Sequence, residues 1–252
     1  MNILITGATS GIGKACAVKF AMKNNRLFLT GRRNELLKAL QNELKLSGAE
    51  VYIYNFDIRD QKACNTCIED INTTYTLDVL INNAGLAAGM SDFANGDIMD
   101  WELMIDTNIK GLMYITRAVL PKMIHKNHGH IINIGSTAAK HTYAKGNIYC
   151  ATKHAIDALS QGLRIELLPH NIKVTAIHPG MTETEFALVR YKGDAEKASK
   201  VYENITPLYP EDIADVIYYA AHLPAHVCLN DIVVTCTAQA NAIHVHRYTN
   251  VS

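Results

Sequence analysis

Short apolar runs alternate with longer stretches of helical periodicity along the whole chain, and this alternation constrains the fold more than any other feature. Runs at 2–6, 26–30, 50–55, 77–82, 130–134, 172–178 and 229–235 read as strands. Stretches at 11–23, 34–46, 61–72, 99–125, 144–167 and 211–222 read as helices. A strand, a crossing helix and a further strand form a βαβ unit, whose crossover makes the strands parallel. Strands this continuously apolar suit a sheet covered on both faces. The expected architecture is α/β, a doubly wound seven-stranded parallel sheet with helices on both faces. No repeat or Pro-, Gly- or Ser-rich linker interrupts the pattern, so residues 1–252 are expected to form a single domain.

Composition narrows the function classes. A chain that is 48% hydrophobic and 19% charged is neither disordered nor low in complexity. Its 24 Lys and Arg balance 24 Asp and Glu, leaving no basic excess for a nucleic acid backbone. No run reaches the roughly 18 apolar residues of a membrane helix, and Met1-Asn2-Ile3-Leu4-Ile5 carries no basic region of a signal peptide. A cytoplasmic protein is expected, with a small-molecule substrate and neither a membrane nor a nucleic acid partner. Cys16, Cys64, Cys67, Cys150, Cys228 and Cys236 are too sparse for a disulfide framework, and reduced thiols are expected. Cys64 and Cys67 have the spacing of half a metal or redox site but lack a second pair; they are expected on a helix surface. His244 and His246 have no carboxylate or thiol nearby in sequence, so no metal is expected.

Thr6-Gly7-Ala8-Thr9-Ser10-Gly11-Ile12-Gly13 falls between the first strand and the first helix. Glycines there allow a tight turn and let backbone N–H groups approach a pyrophosphate at a helix N-terminus, as in a Rossmann fold. The spacing is not G-x-G-x-x-G, and a plain turn is the alternative. The second strand ends in Thr30-Gly31-Arg32-Arg33, with no carboxylate until Glu35. An acid at this place reads a ribose 2′-OH and an arginine a 2′-phosphate, so the pair favours NADP over NAD. Asp57-Ile58 and Asn83-Ala84-Gly85 follow the third and fourth strands, at the carboxyl edge where ligands bind. Asp57 is suited to accept from an adenine amino group; an Asx turn is the alternative at Asp57 and at Asn83.

Ser136 closes the fifth strand, Tyr149 lies on the next helix, and Lys153 is one turn beyond it on the same face. A phenol titrating near 10 is a poor acid–base catalyst at neutral pH, and a neighbouring cation favours its ionised form. A shift of about three units, roughly 4 kcal/mol, is expected at Tyr149. The phenol would then exchange a proton with a carbonyl or alcohol oxygen that Ser136 orients.

Taken together, the glycine motif, Asn82-Asn83-Ala84-Gly85, Asn108, Ser136, Tyr149-Cys150-Ala151-Thr152-Lys153 and Pro179-Gly180 resemble the short-chain dehydrogenase/reductase family across essentially the whole chain. The resemblance implies that Tyr149 is the general acid/base and that Lys153 holds the nicotinamide ribose and lowers the tyrosine pKa. It implies that Ser136 positions substrate, that Asn108 holds a water in a proton relay, and that Pro179, Gly180, Thr182 and Thr184 flank the nicotinamide. A homotetramer is implied in the same way.

A closer resemblance is to the NADP-dependent 3-hydroxy acid dehydrogenases, also called serine or allo-threonine dehydrogenases. It rests on Asn83-Ala84-Gly85-Leu86-Ala87, on 101–108, on 128–138, on Thr184-Glu185-Phe186 and on Val189-Arg190-Tyr191-Lys192-Gly193-Asp194. Residues 139–142 and 181–183 depart from that subgroup, and His178 stands where an acid is expected. The implied reaction is hydride transfer between NADP and a small 3-hydroxy acid or β-hydroxy amino acid, such as serine, allo-threonine or 3-hydroxypropionate, or the matching semialdehyde. A substrate carboxylate needs a cation, and Arg190 is the candidate, with a solvated residue on a mobile loop as the alternative. Tyr143 is expected in the same pocket. Residues 184–204 read as a charged lid with Gly193 as its hinge. Met99, Trp101 and Met104 are expected as core or subunit contacts. Two other readings stand beside this one: an NADPH-dependent carbonyl or 3-oxoacyl-thioester reductase, and a non-catalytic NADPH-binding regulator. The regulator has no need of Asn108, Ser136, Tyr149 and Lys153 as a set.

Overall fold

A computed structural model describes residues 1–248. Strands β1 (Asn2–Ile5), β2 (Arg26–Gly31), β3 (Glu50–Asn55), β4 (Val79–Asn82), β5 (Gly129–Ile134), β6 (Ile172–Pro179) and β7 (Asp231–Val234) form one parallel sheet in the order β3-β2-β1-β4-β5-β6-β7. Strand order reverses between β1 and β4, which opens a crevice beyond their carboxyl ends.

Alternating side chains of the strands feed two cores. Ile3, Ile5, Leu27 and Leu29 pack with α1 (Gly11–Phe20), α2 (Asn34–Lys45) and α9 (Pro210–His222). Leu4, Phe28, Leu80 and Ile131 point the other way, into α3 (Gln61–Thr74) and α5 (Leu112–Lys126). Each fully buried Leu, Ile or Phe side chain contributes about 1.5–3 kcal/mol. Helix α6 (Asn147–Glu166) packs on β5 and β6 and carries the catalytic candidates.

Several elements differ from expectation. The stretch at 99–125 is not one regular helix: α4 (Ile98–Ile105) passes through a π-helical turn, Asp106–Gly111, into α5. Such single-turn bulges gather at functional sites, and this one buries Asn108. Helix α6 begins after the 143–146 turn, in which Lys145 takes φ +66°. The lid region contains two short helices, α7 (Phe186–Arg190) and α8 (Ala195–Lys200). Cys64 and Cys67 lie on α3, but on its buried face with Ile68 and Ile71, a spacing that traces one helical stripe. Burial pushes both thiols up, Cys64 to about 12, so they are inert core residues and not surface thiols. Met104 is in a core, Trp101 packs at a tilt against Phe93 with ring centroids 4.7 Å apart, and Met99 is exposed.

Candidate active site

Beyond β1 the chain turns with Gly7 at φ +65°, a backbone conformation L side chains rarely adopt. Thr6 Oγ1 accepts the N–H of Asn83 and of Ala84, each at 3.0 Å, and Asn83 Nδ2 donates to the carbonyls of Thr6 (2.9 Å) and Gly7 (3.1 Å). Asn83 therefore braces the glycine turn from the neighbouring strand end, and its side chain makes no Asx turn. A Cβ on Gly13 would stand 2.4 Å from the Gly7 carbonyl oxygen, so α1 can begin this close only with glycine there. Ser10 at its N-cap makes no side-chain capping bond among the described residues. The first-turn N–H groups of α1 stay uncapped by it at the positive end of the helix.

A cleft of about 950 Å³ runs along the carboxyl edge of the sheet. Gly7, Thr9, Ser10, Gly11 and Ile12 line one side, Arg32, Arg33, Asp57 and Ile58 one end, and Asn83, Ala84 and Gly85 the middle. Pro179, Gly180, Thr182 and Thr184 form the opposite wall, and Ser136, Tyr143, Tyr149, Lys153 and Arg190 the far end. Gly13 and Asn108 are not on its wall; both are buried behind it. Glu185, Tyr202 and Gln239 also line the cleft and were not among the expected site residues. Glu185 and Tyr202 fall inside the expected 184–204 lid, which was their legible signal; Gln239 had none.

At the dinucleotide end, Arg33 donates to Thr9 Oγ1 through Nε (3.2 Å) and Nη2 (3.0 Å) and to Glu185 Oε2 through Nη1 (2.8 Å). Arg32 Nη1 lies 3.6 Å from Asp57 Oδ2. Asp57 also takes a two-pronged set of bonds from Arg59, 3.0 Å from Nε to Oδ1 and 2.7 Å from Nη2 to Oδ2. Burial alone would raise the Asp57 carboxyl, but these hydrogen bonds and charges outweigh it and hold it below its ordinary value.

Tyr149 and Lys153 are both buried, and the Lys153 ammonium lies 5.8 Å from the Tyr149 ring centroid. Lys153 Nζ donates to the Ile134 carbonyl at 2.9 Å. Burial pushes the Tyr149 phenol above its ordinary value and Tyr143 adds to the rise, while the Ser136 hydroxyl and the Arg190 guanidinium act against it. Burial brings Lys153 down to about 8. Burial outweighs the neighbouring cation at Tyr149: the two groups share one dry pocket, which penalises both charged forms. Ser136 Oγ accepts the Ala138 N–H at 3.1 Å in the turn that follows β5. Asn108 donates through Nδ2 to the Leu86 carbonyl (2.8 Å) and to Thr152 Oγ1 (3.1 Å), and its Oδ1 accepts the Leu86 N–H (2.8 Å). Both amide N–H donors are spent tying the loop after β4 to α6, between Tyr149 and Lys153.

The substrate end holds an unusual cation. Arg190, at the end of α7, donates through Nη1 to the Tyr143 hydroxyl at 2.9 Å, and its guanidinium lies 5.6 Å from the Tyr149 ring centroid. Its Nε and Nη2 are buried with no hydrogen-bond partner among the described residues. The residue as a whole is half-buried on the cleft wall, with these two nitrogens turned away from the surface. Lys192 fastens the lid to α4 through Asp100 (2.9 Å) and Asp97 (3.3 Å). Gly193, at φ +91°, follows directly.

The short chain dehydrogenase family profile matches residues 1–194. This chain belongs to the short-chain dehydrogenase family. An NADP-dependent 3-hydroxy acid dehydrogenase of Salmonella typhi is 46% identical over 98% of this chain and 100% of its own length. Sulfoacetaldehyde reductase 2 of Chromohalobacter salexigens is 43% identical over 94% of this chain and 95% of its own. Among solved structures, the closed form of a serine dehydrogenase complexed with NADP+ matches at TM-score 0.90 and 44% identity, covering 98% of this chain and 100% of that one.

The cleft of this short-chain dehydrogenase suits a dinucleotide on its own evidence. A glycine turn that admits no Cβ, the uncapped start of α1 and two arginines at the end of β2 supply donors for a pyrophosphate and a further phosphate.

Proposed function

We propose that this short-chain dehydrogenase transfers hydride between NADP and the hydroxyl carbon of a small 3-hydroxy acid or β-hydroxy amino acid, or reduces the matching semialdehyde. The observation that carries the substrate class is Arg190. Two buried guanidinium nitrogens with no partner among the described residues, beside the reacting tyrosine, are costly unless an anion joins them. Its planar donors match a carboxylate, and Tyr143 adds a hydroxyl to the same end of the pocket. Serine, allo-threonine and 3-hydroxypropionate all carry an acid group a short reach from an oxidisable alcohol. The named activities of the relatives, on 3-hydroxy acids and on sulfoacetaldehyde, share that plan of an anion beside a carbonyl or alcohol. A thioester substrate offers the guanidinium no charge, which disfavours the acyl-thioester alternative. A regulator has no use for an acid/base pair.

NADP, when bound, supplies the chemistry of hydride transfer. The chain's own groups do the rest. Gly7, Thr9, Ser10, Gly11 and Ile12 form the pyrophosphate cradle, with Gly13 packed behind it and Asn83 bracing it. Arg32 and Arg33 hold the 2′-phosphate, for which Arg33 exchanges its Glu185 partner. Asp57 and Ile58 border the adenine; Ala84, Gly85, Pro179, Gly180, Thr182 and Thr184 border the nicotinamide. Ser136 donates to the reacting oxygen, and Tyr149 Oη gives it a proton in reduction or takes one in oxidation. Lys153, titrating at about 8, stands one helical turn away as a proton-bearing neighbour and as a hydrogen-bond donor to the ribose. Asn108 keeps α6 in register with the loop after β4.

No helix among the described residues is long and apolar enough to cross a membrane. A homotetramer in the cytoplasm is part of the proposal. Exposed Ile98, Met99, Met113 and Ile124 along α4 and α5 support subunit contacts, and unpaired thiols support a reducing compartment. The test is NADPH formation at 340 nm with NADP and a panel of L-serine, D-serine, L-allo-threonine, 3-hydroxypropionate and 3-hydroxyisobutyrate, beside an NAD control. Turnover with NADP on one or more of these is expected. No turnover, with NADPH still bound, would overturn the substrate class.

A further inference from the structure

A buried imidazole stands directly behind Ser136. His178, in β6, has no exposed surface, and its Nδ1 lies 3.4 Å from the Ser136 backbone nitrogen and 3.2 Å from the Ser136 carbonyl oxygen. Gly135 makes room for it: a Cβ there would stand 2.4 Å from Nδ1. On the other side, Nε2 is 3.2 Å from a carboxylate oxygen of Asp231 in β7 and 3.7 Å from one of Asp157 in α6. Lys140, from the loop after β5, sets its ammonium against both carboxylates, 3.0 Å from Asp157. Asp157, His178 and Asp231 are spaced as metal ligands are, but that ammonium already supplies their cation.

A neutral imidazole has one N–H and one acceptor nitrogen. Nε2 is buried and makes no aligned hydrogen bond among the described residues, but two carboxylates flank it, so their charge favours the proton on Nε2, and the Nδ1 lone pair then faces the Ser136 N–H. A second proton, on Nδ1, would turn the ring into a donor toward the Ser136 carbonyl. The two states grip opposite ends of the same residue's backbone.

We propose that His178 is a positioning residue for Ser136: neutral, with Nε2–H toward Asp231, it accepts the Ser136 N–H, fixes the end of β5 and so sets the aim of the Ser136 hydroxyl. The inference rests on the role given to Ser136 above. Every charged group facing the ring takes part. Burial and Lys140 favour the neutral form, Asp231 and Asp157 oppose them, and the balance lies below the ordinary histidine value of 6.5. Acid therefore converts the ring to the state that releases the Ser136 N–H.

The test combines two variants with one spectrum. His178→Ala should lower kcat roughly ten- to a hundredfold, the cost of a small misplacement of a reacting group, with the KM for NADPH within about twofold and the acid limb of the kcat profile gone. His178→Asn keeps an acceptor near the Nδ1 position and has no proton to gain. It should recover most of kcat while the acid limb stays absent, a split that a merely structural role does not produce. Imidazole 15N shifts of the wild-type protein at pH 7 should report the Nε2–H tautomer. That readout needs no substrate, so it tests the inference even if the hydroxy acid panel fails. Wild-type kcat with an intact acid limb in His178→Ala, or an Nδ1–H tautomer in the spectrum, would overturn the proposal.

Discussion

At the dinucleotide end of the cleft, Thr6, Gly7, Asn83 and Ala84 hold one another through backbone and amide groups on two adjacent strand ends. At the substrate end the joining groups are charged or phenolic and come from distant parts of the chain: Arg190 meets Tyr143, Lys192 meets Asp97 and Asp100, and His178 meets Asp157 and Asp231. The first kind of construction admits few residue types, because a Cβ at Gly13 or a bulkier turn at Gly7 would break it. The second admits many, since any cation that reaches an anion will serve. In the proposed function the first end reads the cofactor and the second selects the substrate.

The contrast breaks most severely at Tyr149. Tyr149→Phe should reduce kcat by about 10²–10⁴, the range for a lost general acid/base, while NADPH affinity by fluorescence titration stays unchanged. A parallel loss of NADPH binding would mean that the two ends are not separable. The sheet beneath both ends is tested next through His130 in β5, whose buried ring bonds Thr175 in β6 at 2.8 Å. Burial lowers its pKa from 6.5 to about 3. Unfolded chain binds a proton between those values and folded chain does not, so stability falls as pH drops from 6.5 toward 3, by up to about 1.4 kcal/mol per unit. Urea unfolding of wild type and His130→Asn across that window should show a shallower slope in the variant.

Arg33→Ala should raise the KM for NADPH about tenfold to a hundredfold, in line with roughly 1.5–3 kcal/mol for a charged hydrogen bond, and leave the KM for NADH nearly unchanged. An equal loss with both cofactors would mean that Arg33 shapes the turn and does not read the 2′-phosphate. The smallest effect is expected at Glu185. Its bond to Arg33 is solvent-exposed, and such pairs contribute about 0.2–1 kcal/mol. Glu185→Gln should tighten NADPH by up to about fivefold, as the phosphate no longer displaces a carboxylate. Weaker binding would show that Glu185 helps hold the cofactor.

The sheet, its seven strands and the glycine turn were legible because they rest on local signals: apolar runs, helical spacing and the position of Gly7, Gly11 and Gly13. Tyr149, Lys153 and Ser136 were legible by spacing and by the company they keep. The π-helical turn at Asp106–Gly111 was not, since the same apolar pattern suits a continuous helix and only the packing of Asn108 against Leu86 and Thr152 reveals it. The inward stripe of Cys64, Cys67, Ile68 and Ile71 was visible in the spacing and was missed because the cysteines were weighed as ligands and not as core. The dry pocket around Tyr149, which opposes the effect of the Lys153 cation, has no local signature in the spacing of the two residues. The bracing of Thr6 by Asn83, the contact of Arg190 with Tyr143 and the seat of His178 have no local signature, because each depends on which segments the fold brings together.

Whether Arg190 reads the substrate's acid group is decided by kcat/KM for 3-hydroxypropionate and for its uncharged methyl ester, with NADP, in wild type and in Arg190→Ala. The account predicts that wild type prefers the acid by about tenfold to a hundredfold, as expected for a charged hydrogen-bonded pair, and that the preference vanishes in the variant because only the acid loses rate. An equal loss on both substrates, or a preference that survives the substitution, would contradict it.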